Sequence, residues 1–230
     1  MELHIQPVGA CHAQRNMAVD TALLESAPKT NAVMLRHYSW AKPSRTFGYR
    51  QRYTDVSIDT PDSVDLCRRP TGGGIVDHTD DWTYSLIIPP QHPHYSERAL
   101  SSYKQTHEAL LQALQSIGLL AELFPCSKCD ASKHNRACFP SPSPFDIIDT
   151  NTNQKLAGAA QKRTRHGLLI QGSIQGTAIS DKNSFLSIFA QFLAQDWALA
   201  PKHCPRFSAE EPKIKAIEND YNSDNWQKRR

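Results

Sequence analysis

Two clusters in the sequence carry residue types that could do chemistry. The first is Arg68-Arg69-Pro70-Thr71-Gly72-Gly73-Gly74-Ile75-Val76-Asp77-His78. Three successive glycines let a backbone come close to a ligand and expose its N–H groups. Adjacent arginines offer planar donors suited to phosphate or carboxylate. The run lacks the Gly-Lys-Ser/Thr of a Walker-type phosphate loop. The residues after the glycines read as strand, not helix, which excludes a dinucleotide fingerprint. Taken alone, the run also fits a glycine-rich bend between two strands. The second cluster is Lys155-Leu156-Ala157-Gly158-Ala159-Ala160-Gln161. Strand alternation puts Lys155, Ala157 and Ala159 on one face, with space above the small residues. A lysine there could hold a carbonyl or phosphate oxygen electrostatically. It could equally be a solvated strand-end lysine over a close-packed Gly/Ala strand.

Cysteine offers a third kind of chemistry. Cys126, Cys129, His134 and Cys138 are spaced Cys-x2-Cys-x4-His-x3-Cys, one residue short of a zinc knuckle before the last ligand. Three thiolates and an imidazole would satisfy tetrahedral zinc. The segment lacks the glycines and aromatics that usually close so small a knuckle, so Cys126 and Cys129 also fit plain loop thiols. Zinc held by Cys126, Cys129 and His134 alone is a further possibility. Cys11 and Cys67 lie beside apolar residues and read as small core residues. Cys204 sits in a proline-flanked loop and reads as incidental.

The elements that must position these groups are set by periodicity. Asn16–Ser26 reads as a helix ended by Pro28. Val33–Tyr38, Thr46–Tyr49, Val64–Arg68, Ile75–Val76 and Thr83–Ile88 read as strands, the last closed by Pro89 and Pro90. Glu97–Leu119 repeats apolar residues at helical spacing and ends at Gly118. Pro125–Pro144 is rich in Cys, Ser, Pro and Lys and reads as a long loop, a feature that is usually functional. Phe145–Asp149, Gln154–Lys162 and Gly167–Ile174 form a meander, with a turn at Asn151–Gln154. Ser184–Trp197 is an amphipathic helix. Ser208 with Glu211 makes a capping-box pattern before a last helix to about Glu218. Asn222–Arg230 is polar and reads as a fraying tail. Segregated strands with few helices predict an α+β class: a mixed, largely antiparallel sheet with helices mainly on one face.

Composition bounds the rest. At 230 residues the chain can bury a core without disulfides or metal staples, and is read as one domain over 1–230, with about 200–230 as a helical tail and no separate accessory domain. The net charge of +3 comes from basic residues interleaved with acidic ones, which is no nucleic-acid footprint and suits a mildly acidic partner surface. No apolar run reaches the roughly 18 residues a membrane helix needs. Met1–Gly9 lacks the pattern of a signal peptide. A cytoplasmic protein with reduced thiols is expected.

Together, the two clusters resemble the lipoate-protein ligase and octanoyltransferase family, relatives of the biotin protein ligases. Asn16–Asp20, Leu35–Trp40 with Phe47–Gln51, Arg68–His78, Lys155–Arg163, Leu168–Ile174 and Tyr221–Trp226 are all similar to family stretches, so most of residues 10–230 is covered. The resemblance implies the biotin/lipoate ligase catalytic fold and attachment of an eight-carbon acyl chain to a lysine. The acceptor would be a lipoyl domain of a 2-oxoacid dehydrogenase or the glycine-cleavage carrier protein. Arg69, Thr71, Gly72, Gly73 and Gly74 would line the acyl pocket, with His78 closing one wall. Lys155 would polarise the acyl carbonyl, with Gly158 and Ala160 beside it.

Cys138 selects among the family's mechanisms. Cys138-Phe139, then Ser143, then Phe145-Asp146-Ile147 resembles the cysteine transferase pattern. A thiolate attacking a thioester needs no ATP and so no cofactor; the donor would be an acyl carrier protein. The expected activity is octanoyl (or lipoyl) transfer through a Cys138 thioester. The alternative is a lipoate-protein ligase using ATP and Mg²⁺, with or without a separate accessory subunit. A non-catalytic module that binds lipoylated carriers or biotin-like ligands, and a biotin ligase, are lesser readings.

Overall fold

The apolar stretches at 33–40, 81–88 and 167–175 point side chains alternately to two sides of a sheet. That alternation organises the computed structural model, which describes residues 1–125, 142–175 and 179–229. Strands β1 (Glu2–Ile5) and β2 (Ala10–Cys11) lead into helix α1 (Ala13–Thr30), then β3 (Val33–Trp40), β4 (Ser44–Phe47) and the short α2 (Tyr53–Ser57). Next come β5 (Asp65–Arg68), β6 (Val76–Asp77), β7 (Asp81–Ile88), α3 (Pro93–Ser96) and α4 (Ala99–Ser116). Then come β8 (Ala121–Leu123), β9 (Ile147–Asp149), β10 (Lys155–Thr164) and β11 (Gly167–Gln175). The last elements are α5 (Lys182–Asp196), β12 (Ala200–His203), α6 (Glu211–Tyr221) and α7 (Asp224–Gln227).

The main sheet has the order β12-β1-β3-β7-β11-β10-β9-β8, with β2 beside β3. Pairing is antiparallel from β3 across to β8, whereas β1 runs parallel to both β3 and β12. A small sheet, β5-β4-β6, carries the start of the glycine loop. The α+β class and the mixed, largely antiparallel sheet are as expected. The helices, however, cover both faces. Met34, Ile87 and Leu169 join α1 and α6 in one core, while Leu35, Leu86 and Ile170 join α4 and α5 in the other. The reason lies in the central strands: Leu86-Ile87-Ile88 and Leu168-Leu169-Ile170 are apolar on both faces, so both need cover.

Four local expectations change. Helix α1 runs through Pro28 and ends at Asn31, whose left-handed backbone (φ 50°) lets its N–H reach Ala27 O. Leu24 and Ala27 are buried there, and their packing outweighs the one hydrogen bond that proline removes. Ser208 makes no capping box: its N–H donates to Gln6 Oε1 (2.9 Å) and its Oγ accepts from Gln6 Nε2 (3.0 Å), and α6 starts without a side-chain cap. Strands β1, β8 and β12 are only three or four residues long and lie at or near the sheet's edges, too short to show an apolar period. The polar tail does not fray over its described length. Buried Arg68 donates to the carbonyls of Trp226 (3.0 Å), Gln227 (2.9 Å) and Arg229 (3.0 Å). The Trp226 indole N–H returns a bond to Arg68 O (2.8 Å). Among the described residues, no helix is long and apolar enough to cross a membrane.

Buried polar groups generate two stability predictions. Arg68 also donates to Tyr49 O and Gln51 O, each at 2.7 Å. Arg68→Met keeps the bulk but strands these carbonyls, and should cost roughly 2–4 kcal/mol in urea unfolding, since each buried orphan acceptor costs on the order of 1–3 kcal/mol. Burial pushes the His37 imidazole down to about 4, although its ring bonds Thr83 O at 2.9 Å. Burial, helped by His94, pushes His92 down to about 4 as well. Both are neutral when folded, and the unfolded chain binds the extra protons. Stability should therefore fall as pH drops from about 6.5 toward 4. Urea midpoints at pH 7 and pH 5 check this; an unchanged midpoint would show that neither histidine contributes.

Candidate active site

A cavity of about 440 Å³ opens between the glycine loop, β10 and the first turns of α4. The loop owes its shape to two glycines. A Cβ on Gly48 would lie 1.9 Å from Gly73 O, so only glycine lets β4's end pack on the loop. Gly73 itself has φ +85°, a region that side chains disfavour. Arg69 fixes the curl: its Nε donates to Gly72 O (3.0 Å) and its Nη1 to Thr46 O (3.2 Å). Thr71 lies beneath, donating to Gln171 Oε1 on β11 (2.8 Å).

Gln171 leads into a buried polar floor. Its Nε2 donates to Asp20 Oδ2 (2.8 Å), and the other Asp20 oxygen accepts from Arg36 (2.7 Å) and Ser85 (2.7 Å). Arg36 and Asp20 are both almost wholly buried, so this ion pair lies out of water. A charge so placed stays tolerable only while all its partners are present.

His78 forms a wall. Its Nδ1–H donates to Asp81 Oδ2 (2.6 Å), its Nε2 meets Thr46 Oγ1 (2.8 Å), and its ring stacks on Trp40 with centroids 4.0 Å apart. Both ring nitrogens are thus engaged, which holds the imidazole plane in place. Trp40, Met17, Ile75, Val76 and Leu100 supply apolar lining.

Lys155 lies on the cavity's other group of polar residues. Its ammonium pairs with Asp146 Oδ2 at 2.9 Å, with the lysine side chain 9% exposed. Asp146 also accepts from the Tyr103 hydroxyl and from Ser143 N–H (2.6 Å). Plain alternation would send Lys155 to the same face as Ala157, which is buried in the core under α4. The pairing of β9 with β10 instead shifts register between Lys155 and Ala157, and such bulges re-aim side chains. The lysine ends over Gly158, where a Cβ would stand 2.3 Å from Lys155 Cε. Gly158 is therefore the space into which Lys155 folds.

Of the residues that the sequence marks as candidates, Arg69, Gly73, Gly74, His78, Lys155, Gly158 and Ala160 line one cavity. Thr71 and Gly72 do not line it; Thr71 anchors the loop from below. Cys126, Cys129, His134 and Cys138 lie outside the described residues. Cys67 is fully buried, and burial pushes its thiol up to about 12, which leaves it an inert core residue; Cys11 and Cys204 are half-buried. Two residues of the site, Asp146 and Tyr103, receive no role from the sequence, although Asp146 falls within the Phe145-Asp146-Ile147 stretch. Tyr103 is hidden among the apolar positions of α4, and Asp146 within a strand-like run.

Known proteins resemble this arrangement over most of its length. The family model for the lipoyl protein ligase A/B catalytic domain matches residues 12–195. Octanoyltransferase LipM of Carboxydothermus hydrogenoformans is 36% identical over 163 residues, covering 69% of this chain and 59% of its own. Octanoyltransferase LipM of Bacillus cereus is 32% identical over 176 residues, covering 72% of this chain and 62% of its own. The chain thus spans about three fifths of the length of these relatives. A T. acidophilum protein described as a lipoate protein ligase, solved with bound lipoic acid, superposes with a TM-score of 0.76 at 17% identity, covering 99% of this chain and 98% of its own. That likeness confirms the lipoate-ligase catalytic fold. With its glycine loop, β10 lysine and meander all inside the matched residues, the chain belongs to the lipoyl protein ligase A/B catalytic-domain family.

Proposed function

We infer that this chain is an octanoyltransferase: it moves an octanoyl group from an acyl carrier protein thioester to a lysine of a lipoyl domain or the glycine-cleavage carrier protein. The observation that carries this reading is the 36% and 32% identity to octanoyltransferases over 163 and 176 residues. The cavity itself suits such a ligand, being concave, mostly apolar and within the usual range for small-molecule sites. An eight-carbon tail against Met17, Trp40, Ile75 and Val76 would gain on the order of 5 kcal/mol, at about 0.8 kcal/mol per buried methylene.

On this reading the Cys138 thiolate attacks the carrier thioester carbonyl. The carbon–sulfur bond to the carrier breaks, and the carrier thiol leaves as thiolate. The acyl group now sits on Cys138. The neutral amine of the acceptor lysine attacks in turn, its proton passes through solvent to the released carrier thiolate, an amide forms, and Cys138 leaves as thiolate. Each attack develops an oxyanion, and the Lys155 ammonium lies against the cavity to receive it. No ATP is consumed, since one thioester replaces another before the amide forms. The structural role of the glycine loop is to keep Arg69 and the backbone of Gly73 and Gly74 at the cavity wall.

Intact-protein mass spectrometry tests the cysteine step. Mixed with octanoyl-acyl carrier protein and no ATP, the wild-type chain should gain an octanoyl adduct that a lipoyl domain discharges, and Cys138→Ala should gain none. Labelling that needs lipoate, ATP and Mg²⁺, and that survives Cys138→Ala, would instead make the protein a ligase. A second prediction concerns the lysine. Lys155→Ala should slow transfer by roughly 10²–10³-fold, the usual loss for one oxyanion donor. Gly158→Ala should slow it comparably by driving Lys155 off its seat, with little change in thermal midpoint; wild-type turnover in Gly158→Ala would show that Lys155 needs no such space.

A further inference from the structure

We propose that Asp146 and Tyr103 are positioning residues that hold the Lys155 ammonium at the point where it meets the acyl carbonyl. The inference rests on the reading that Lys155 acts on that carbonyl, and deepens it.

Asp146 is fully buried, yet it lies beside the cavity with its carboxylate committed to three donors: Lys155, the Tyr103 hydroxyl and Ser143 N–H. Tyr103 is committed in turn. Its oxygen accepts Ala159 N–H of β10 at 2.9 Å, a backbone donor next to the very glycine that Lys155 covers. Tyr103 therefore ties the carboxylate to the strand that bears the lysine. The chain of contacts runs from α4 through Asp146 to Lys155 and back to β10, and leaves the ammonium little freedom.

The backbone is bent to aim that carboxylate. Phe145, immediately before Asp146, has φ +65°, a left-handed conformation uncommon for a bulky residue. Strain of this kind, on the order of 1–3 kcal/mol, persists where surrounding bonds over-determine it. They do so here. Phe145 N–H donates to Phe124 O (2.9 Å), Asp146 N–H to Ser143 O (3.0 Å), and His107 Nδ1–H to Phe145 O (2.6 Å). The Phe145 carbonyl can only accept, so His107 Nδ1 carries the proton. His107 is wholly buried and packs its ring on Tyr103 with centroids 4.2 Å apart. The same histidine thus supports both the strained turn and the tyrosine. A surface ion pair would need none of this apparatus.

Displacement of a catalytic group by about 1 Å can cost on the order of 10²-fold in rate. The test compares steady-state octanoyl transfer in the wild-type chain, D146N, Y103F, K155A and D146N/K155A, with thermal midpoints for each. D146N keeps the shape but loses the charge, and should lower kcat by about 30-fold with KM within about twofold, because the apolar lining at Met17, Trp40, Ile75 and Val76 is unchanged. Y103F removes one hydroxyl and should lower kcat by about fivefold; it carries the test if D146N fails to fold. The double variant D146N/K155A should be no slower than K155A. If D146N slows the K155A background by the same factor as the wild type, Asp146 acts other than through Lys155 and the inference fails. Wild-type kcat in both D146N and Y103F overturns it as well. Should the wild type turn over only with lipoate, ATP and Mg²⁺, the transfer reading falls by itself. The same five proteins, compared under those conditions, then decide the positioning inference by the same double-variant criterion.

Discussion

A carboxylate removed from water dictates how the α1 side of the sheet assembles. Asp20 projects from α1 and receives Arg36 and Tyr38 from β3, Ser85 from β7 and Gln171 from β11. Arg36 is held on its far side by Asn16, through both the backbone carbonyl (3.1 Å) and the side-chain oxygen (2.7 Å). Desolvating a carboxylate costs several kcal/mol, and attraction to one buried arginine offsets that only when the remaining lone pairs are also bonded. Slipping any of the three strands by one residue would turn its donor to the opposite face and leave the charge short. The network therefore selects one register among the central strands. Through Gln171 and Thr71 it also fixes the height of the glycine loop above β11.

The arginine doublet divides its work by strand alternation. Arg68 closes β5 and points away from the cavity, where it collects carbonyls from the C-terminal segment. Arg69 points the other way and braces the loop. Neither guanidinium stands free in solvent, and from adjacent positions Arg68 reaches the C-terminal segment and Arg69 the glycine loop. Loop shape and tail docking are thereby coupled through a single peptide unit, although neither arginine is part of the apolar cores.

The strong periods are legible in the sequence. Helix α4, ended by Gly118 at φ +89°, and the meander of β9, β10 and β11 lie where the spacing of apolar residues puts them. The glycine loop and the β10 lysine are legible as types, and the structure brings them to one cavity. What escapes a one-dimensional reading depends on partners distant in the chain. Ser208 satisfies Gln6, 202 residues away, in preference to its local capping pattern. The tail is ordered by an arginine 158 residues upstream. Asp146 matters because of Tyr103 and Lys155, and only a register shift, invisible in a linear pattern, turns Lys155 toward it. The second helical layer escapes because a run such as Leu86-Ile87-Ile88 has no polar face, so nothing in its pattern marks which side is covered.

The placement of Lys155 on a strand, braced by a helix and a strained turn, separates two requirements that any acyl transfer to a lysine shares. Stabilising an oxyanion demands a donor fixed before the charge develops, because reorganisation during the reaction would cost part of the gain. Activation of the acyl group is a different problem, solved by a thioester or by an adenylate. On the reading proposed above, the described cluster of Lys155, Asp146, Tyr103 and Gly158 addresses the first problem in the same way whichever solution serves the second. A scaffold of this kind can therefore exchange one activation chemistry for another without disturbing its rigid strands, which is why likeness of fold to a lipoate protein ligase leaves the choice of acyl donor to residues outside the cluster. On the transferase reading that choice falls to Cys138. Its thiolate exchanges one thioester for another and so needs no further energy source.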